Sequence, residues 1–525
     1  MSATSNVRTI GRRRVIGLAL GTIGAGALLA ACGGSAPAPT AAPAATKPAA
    51  APTTAPATGG AAAAPTTAPA GGAAAATKPA GTTNAPSAAA PATSKAPVTL
   101  RFTTWWAPLE RGLKDASDQF KADFPYVTVA PEMVPSADFV PKQEAALVAG
   151  TWGDASISDN GTQVKWMAGG YHLDLTDKVK ADGINLPQDY SLMGLEIWEG
   201  KVLHMPFDND PRAIYYNKTA FKAAGVKDPW DDLKGKWTIN DMVEAAKQLT
   251  NVQNGKTTFY GLQWNYNSYQ EFSPLVWMLG GNYASWTELK YTLTDPAVAK
   301  AHQMLYKWAK EDKFLITVEA TNELVGPGGV IPFRAGLTGM YHRAAYDVQL
   351  MDDVIKDKFE WDAAPLPDLD ANTPGIPVTS GNPNYVPAKT RYPDEAYAWL
   401  RHLSSTKFQD FAATNHLYVP SNKKSWKTYQ TANTKGKHLE SFIRHVYSRR
   451  HGFHFYNAGM NAAGTAIRDQ IDLVYLDKKK LEDALRDANQ KANELVNFGG
   501  AKQPFSFTVP KPPVPTAELQ ALGVL

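Results

Sequence analysis

Residues 98–130 read VTLRFTTWWAPLERGLKDASDQFKADFPYVTVA. The opening Val98–Thr104 alternates apolar and polar positions with β-branched side chains, the pattern of a strand with one buried face. Between Glu110 and Asp123 the period changes, and Leu113, Ala116, Phe120 and Phe124 recur at helical spacing. Tyr126–Ala130 returns to strand composition. A helix between two strands carries the chain back so that the second strand runs parallel to the first. The stretch therefore predicts an α/β fold with a parallel sheet.

The alternation continues downstream, with a helix at Asp138–Ala149, a strand at Asp154–Ser158 and a helix at Gln163–Ala168. Further helices are predicted at Thr238–Thr250, capped by Thr238 or Asn240, and at Pro296–Lys310, Pro393–Ser404 and Leu481–Asn497. Pro296 and Pro393 fall where a first helical turn accepts proline. From Gln503 onward Pro510, Pro512, Pro513 and Pro515 predict an irregular tail. A body running from residue 98 exceeds the roughly 250–300 residues at which a single core stops growing, so two lobes are expected.

Upstream of this body the composition breaks. Residues 1–97 contain no Asp, Glu, Phe, Trp or Tyr but hold seven of the chain's 53 Lys and Arg. The rest carries the other 46 against all 49 Asp and Glu, so it is net −3 while the whole 525-residue chain is net +4. Basicity thus belongs to the leader, and no nucleic-acid partner is expected. Arg12-Arg13-Arg14 precedes an apolar run, Val15 to Ala31, ending in Leu29-Ala30-Ala31-Cys32. This reads as a lipoprotein signal over 1–31 that leaves Cys32 as a lipidated N-terminus; an uncleaved membrane anchor is the alternative. Export by the general or the twin-arginine route stays open. Residues 32–97, nearly all Ala, Pro, Thr and Gly beyond the Cys32-Gly33-Gly34-Ser35 start, have little to bury and are expected to form a disordered tether.

Several chemistries lack their signatures. One cysteine excludes a disulfide framework and Cys-rich zinc modules. His451-Gly452-Phe453-His454 has neither neighbouring Cys nor an HExxH pattern, so no metal is expected, and no cofactor motif appears. Gly326-Pro327-Gly328-Gly329 lacks the Lys-Ser/Thr of a phosphate loop, and GxSxG is absent. Aromatics are the more informative candidates, because their flat faces pack on apolar ligand surfaces. Trp105 and Trp106 follow the first strand at its carboxyl end, where α/β sheets open their crevice. One of these neighbours should face that crevice, and Trp106 is favoured. Trp264, Tyr266, Trp277 and Trp286 form a second aromatic group shared between ligand contacts, Trp264 and Trp277 first, and core. Arg343 suits a hydroxyl or carboxylate clamp, or else an ion pair.

Ordered blocks across residues 98–500 resemble the family 1 extracellular solute-binding proteins, the maltose-binding-protein-like receptors of ABC importers. The blocks are Val98–Phe124, AGTWGDASISDN (149–160), GKVLHMPFDNDPRAIYYNKTAFKAAGV (200–226), WTINDMVEAAKQLT (237–250), FRAGLTGMYHRAAY (333–346), Trp361–Pro367 leading to Ser380-Gly381, and DEAYAWLRHLSSTKFQDFAATNHLYVP (394–420). The most specific part is Ile214–Lys218 with Gly225. The resemblance implies a two-lobe fold of the type II periplasmic-binding-protein kind, with hinge crossovers and an interlobe cleft. The chain is expected to cross near Asp208–Arg212, Pro377–Asn382 and Ser421–Lys435. Lobe 1 then takes 98–210 and 378–430, lobe 2 takes 211–377 and 431–502, and the tail 503–525.

Family position puts Asp159 and Asn160 at the cleft rim, and Asp208 and Asn382 at the hinge. An exposed turn is the alternative for Asp210 and, less well, Asp208. Tyr346 stands where the family usually has a sugar-stacking Trp, and Ala344 replaces the family's Gly before it. The implied protein is a monomeric receptor, tethered outside the cytoplasm, that captures a solute, most naturally a carbohydrate, for an ABC permease and performs no covalent chemistry. Two rivals are an exported lipoprotein glycoside hydrolase, for which Asp159 and Asp208 would supply the carboxylates, and a structural envelope lipoprotein with a non-binding cleft.

Overall fold

The computed structural model describes residues 95–192, 195–432, 434–447, 454–500 and 514–524. The signal, Cys32 and nearly all of the tether lie outside these residues, as do 451–453 of the histidine pair. Strand β1 (Val98–Thr104), helix α1 (Ala107–Asp123) and strand β2 (Val127–Met133) form the expected unit, and β1 pairs with β2 in parallel register, Val98 opposite Val127. Helix α2 (Ser136–Ala149), strand β3 (Ala155–Ile157) and helix α3 (Gln163–Ala168) add a second parallel neighbour to β1. Strand β4 (His204–Met205) closes the far edge. Leu100, Phe102, Leu113, Phe120, Trp399 and Leu400 make the core of this lobe.

Strand β5 (Asp208–Asn217) is buried along its whole length. Its Ile214-Tyr215-Tyr216 run has no polar alternation because both faces are covered: Ile214 and Tyr216 enter one core, Ala213 and Tyr215 another. Helix α4 (Ile239–Leu249) carries the predicted Thr238 cap, with Asp241 completing a capping box. Strands β6 (Asn251–Gln253) and β7 (Lys256–Gln263), helix α5 (Tyr269–Met278), and strands β8 (Thr338–Ala344) and β9 (Trp361–Ala364) complete the second lobe. Its sheet order is β9-β5-β8-β7-β6.

Strand β10 (Thr379–Ser380) pairs with Pro211 and Asp210 of β5 as the chain returns. Strand β11 (Asn384–Tyr385) joins the first sheet between β3 and β4, and helix α6 (Pro393–Ser404) covers it. The third crossing is strand β12 (Val419–Pro420), paired with Asn209 and Asp208, just before the expected Ser421–Lys435. Trp426 and Tyr429, inside the expected first-lobe return, share a core with Tyr215 and Phe442. Helix α7 (Met460–Tyr475) packs on the second lobe through Ala463, Ile467 and Ile471. The tail is not wholly irregular. Thr516–Ala521 forms helix α8, Leu519 is buried among Trp426 and Tyr429, and Glu518 pairs with Lys423 at 2.7 Å.

Candidate functional site

The carboxyl ends of β1 and β3, the hinge strands, the start of α5 and the turn after β8 converge on a cavity of about 260 Å³. Both tryptophans of the β1–α1 loop line it, so the expected choice of Trp106 over Trp105 is not made. Thr104 Oγ1 accepts from the Trp106 N–H at 3.2 Å. The Trp105 ring stands edge-on to Phe139, at 4.5 Å between centroids, and Trp106 leans on Tyr418 at 5.4 Å. Tyr346 approaches from the opposite lobe on the turn Ala345–Asp347, with the Arg343 guanidinium 5.2 Å above its ring. Asn160, Asp210, Arg212, Gln270, Ser380 and Asn382 supply the polar wall.

The hinge is not an exposed turn. Asp208, Asn209 and Asp210 are all buried. The Asp208 carboxylate accepts from the backbone N–H of Asn382, and the Asn209 amide donates to the Pro420 carbonyl at 3.0 Å. Two consecutive residues of β5 thus hold the other two crossings. Burial pushes the Asp208 carboxyl up to about 7 despite its bonds to Asn382. Burial, and then the neighbouring Asp208 charge, push Asp210 up strongly as well.

Arg212 is 2% exposed. Its Nε donates to Glu271 Oε1 at 2.9 Å and its Nη2 to Gln270 Oε1 at 3.0 Å, while Nη1 has no partner among the described residues. Burial alone would raise Glu271, but Arg212 and His342 overcome it and hold the carboxyl well below its usual range. The remaining Glu271 oxygen lies 2.5 Å from His342 Nδ1. This ion pair ties the hinge to the start of α5.

Of the expected ligand residues, the cavity brings together Trp106, Asn160, Tyr346 and Asn382. Asp159 turns away from it: its Oδ1 accepts from the Gly161 N–H at 3.0 Å and from Thr162 Oγ1. Asp208 acts at the hinge behind the wall, and Arg343 props Tyr346 while donating to Asp347 at 3.2 Å. Trp264 is core: it is 1% exposed, stacks on His342 at 4.1 Å and donates its indole N–H to the Glu271 carbonyl. Its edge reaches a separate cavity of about 210 Å³ beside Arg343. Trp277 packs against the second lobe's core and donates to Asn282 at 3.2 Å, away from the cleft. Gln270 carries no signal in the sequence, and Arg212 is marked there only by its place in the expected hinge.

Residues 96–410 match the family described as bacterial extracellular solute-binding proteins. The chain belongs to that family. Solved structures with the same fold include an ABC substrate-binding protein from Listeria monocytogenes in complex with cycloalternan. It is 19% identical with a TM-score of 0.66, covering 75% of this chain and 98% of that one. A solute-binding protein from Thermotoga lettingae, bound with α-D-tagatose, is 16% identical with a TM-score of 0.62, covering 76% and 99%. At such identities the likeness is one of fold, and it agrees with two lobes and a cleft. A Brucella abortus protein named only as a binding protein is 30% identical over 128 residues, which is 23% of this solute-binding protein and 30% of the relative's own length.

Proposed function

We propose that this solute-binding protein is a monomeric, lipid-anchored receptor outside the cytoplasm that captures a carbohydrate and delivers it to an ABC importer. The observation that carries the ligand class is the cavity wall. Trp105, Trp106 and Tyr346 bring aromatic rings from both lobes, and among them stand two amides from the first lobe and hinge, one from the second, a hydroxyl and the Arg212 side chain. Sugars match this pairing, with apolar C–H faces and hydroxyls that both donate and accept. Because the solute touches both lobes, it favours the closed form over the open one, and a permease that distinguishes the two forms transports only what has been captured. The structures of similar fold that hold cycloalternan and tagatose support the same class.

The hydrolase reading needs two carboxylates flanking one bond. Asp210 is the only carboxylate among the described residues that line the cavity, while Asp208 holds Asn382 and Asp159 faces Thr162. The anchor rests on Cys32 and the small residues before it. No helix among the described residues is long and apolar enough to cross a membrane.

A thermal-shift screen over sugars, polyols, amino acids and peptides tests the ligand class. A solute present at 100 times its Kd stabilises by about 2.7 kcal/mol. A sugar is expected to raise the midpoint while amino acids and peptides leave it unchanged, and the reverse pattern refutes the reading. Cys32→Ser should release the protein from the membrane or leave it unprocessed. Unchanged lipid labelling would remove the anchor from the proposal.

A further inference from the structure

We propose that the cleft admits a single sugar ring, and that Gly161 of the first lobe and Asn461 of the second set this limit by meeting beside the cavity. The inference rests on the carbohydrate reading and adds the size class of the ligand. The first ground is volume. At about 260 Å³ the cavity lies below the roughly 300–1,000 Å³ of ordinary ligand pockets.

The second ground is what stands at its edges. Asn160 lines the cavity, and the next residue, Gly161, lies directly against the Asn461 side chain at the start of α7. A β-carbon at Gly161 would fall 1.9 Å from Asn461 Oδ1 and 2.2 Å from its Cγ. The Gly161 backbone lies outside the positive-φ region, so glycine is required there for space and not for conformation. The Asn461 side chain also acts on the Asp159 carboxyl, partly offsetting the rise that burial imposes on it. A second seam lies along α3: Val164 and Met167 are buried in the second lobe's core, and a β-carbon at Gly499 would fall 2.3 Å from Ala168 Cβ. In the other direction Arg212 lines this cavity and Glu271 lines the one beside Arg343, so their 2.9 Å ion pair separates the two. A chain growing from a bound ring past Asn160 therefore runs into the Gly161–Asn461 contact, and one growing toward Arg343 runs into the buried ion pair.

Calorimetric titration of the purified protein with D-glucose, D-galactose, D-mannose, D-fructose, maltose, lactose, mannobiose and sucrose tests the limit. At least one hexose should bind, with disaccharides containing it at least about 100-fold weaker. Asn461→Gly should narrow that gap about tenfold or more by opening the edge. Gly161→Leu should weaken the hexose at least about tenfold and reduce the ligand-dependent compaction seen by small-angle scattering. Gly161→Leu combined with Asn461→Gly should recover the affinity to within about threefold, since the space is then filled from the other lobe. A cooperative thermal transition and unchanged circular dichroism of Gly161→Leu alone show that the single variant folds. Equal affinity for a hexose and its disaccharide overturns the limit and leaves the carbohydrate reading intact. Unchanged hexose binding in Gly161→Leu removes these two residues from it. Binding of amino acids or peptides with no heat from any sugar overturns both readings.

Discussion

Replacing Asp208 with Asn should stabilise the protein at pH 8 and leave it unchanged at pH 4. The native carboxyl titrates near 7, against 3.8 for the free group, because burial outweighs its bonds to Asn382. Between those two values the native state keeps a proton that the unfolded chain has already released. Stability from this group is therefore complete below pH 3.8 and is lost as pH rises through 7. The difference between 3.8 and about 7, at 1.36 kcal/mol per tenfold change in proton affinity, sets an upper bound of about 4 kcal/mol that Asp208 shares with the neighbouring Asp210. The amide resembles the protonated acid and carries no such dependence. It can still accept from the Asn382 N–H, but its NH2 then faces the Asn382 side-chain amide, which takes back about 1 kcal/mol unless that amide flips. A net gain of about 2–3 kcal/mol at pH 8 is expected. In a body of this size that corresponds to roughly 2–5 °C, extrapolating the trend for smaller domains. Thermal unfolding of wild type and variant at pH 4, 6 and 8 reads it directly. An equal shift at all three values would mean that packing and not titration is responsible. A variant less stable than wild type at pH 8 would mean that the hinge favours the charged form, and the reasoning would fail.

The ion pair behind the cavity and an isolated histidine give two further expectations. Arg212→Met should cost about 3–5 kcal/mol in urea unfolding, because it strands the buried Glu271 carboxylate, and adding Glu271→Gln should restore most of that loss without restoring ligand binding. Strict additivity of the two changes would refute the coupling. His302 is 1% exposed, neither ring nitrogen has a partner among the described residues, and burial pushes it down to about 3. The native state resists its protonation, so the stability it contributes is present above pH 6.5 and is lost as pH falls toward 3. His302→Leu should flatten this acid limb between pH 6 and 4; an unchanged slope there would assign it to other groups.

What could be read in the sequence was what local patterning enforces. Val98–Ala130 declared a parallel pair because strand and helix periods alternate there, and Thr238 declared a helix start because its hydroxyl caps the Asp241 N–H. The continuous apolar run at Ile214–Tyr216 marked a strand covered on both faces, and its likeness to a known family located the first crossing nearby. Pro515 misled in the tail, since a proline directly before Thr516–Ala521 suits the start of a helix as well as it suits a coil. The site itself was only half legible, for a physical reason. A tryptophan has the same composition signal whether it faces a ligand or a core, and burial against His342 and the Glu271 carbonyl, which decides the matter for Trp264, belongs to the assembled lobe. Gln270 and Asn461 carry no pattern of their own. Their importance arises because folding sets Gln270 3.0 Å from Arg212 and the Asn461 amide against Gly161, a backbone position with no room for a side chain. In a two-lobe solute-binding protein the residues that meet across the lobes are far apart in the chain, so those contacts are set by the assembled fold, and only the crossing strands are marked by local pattern.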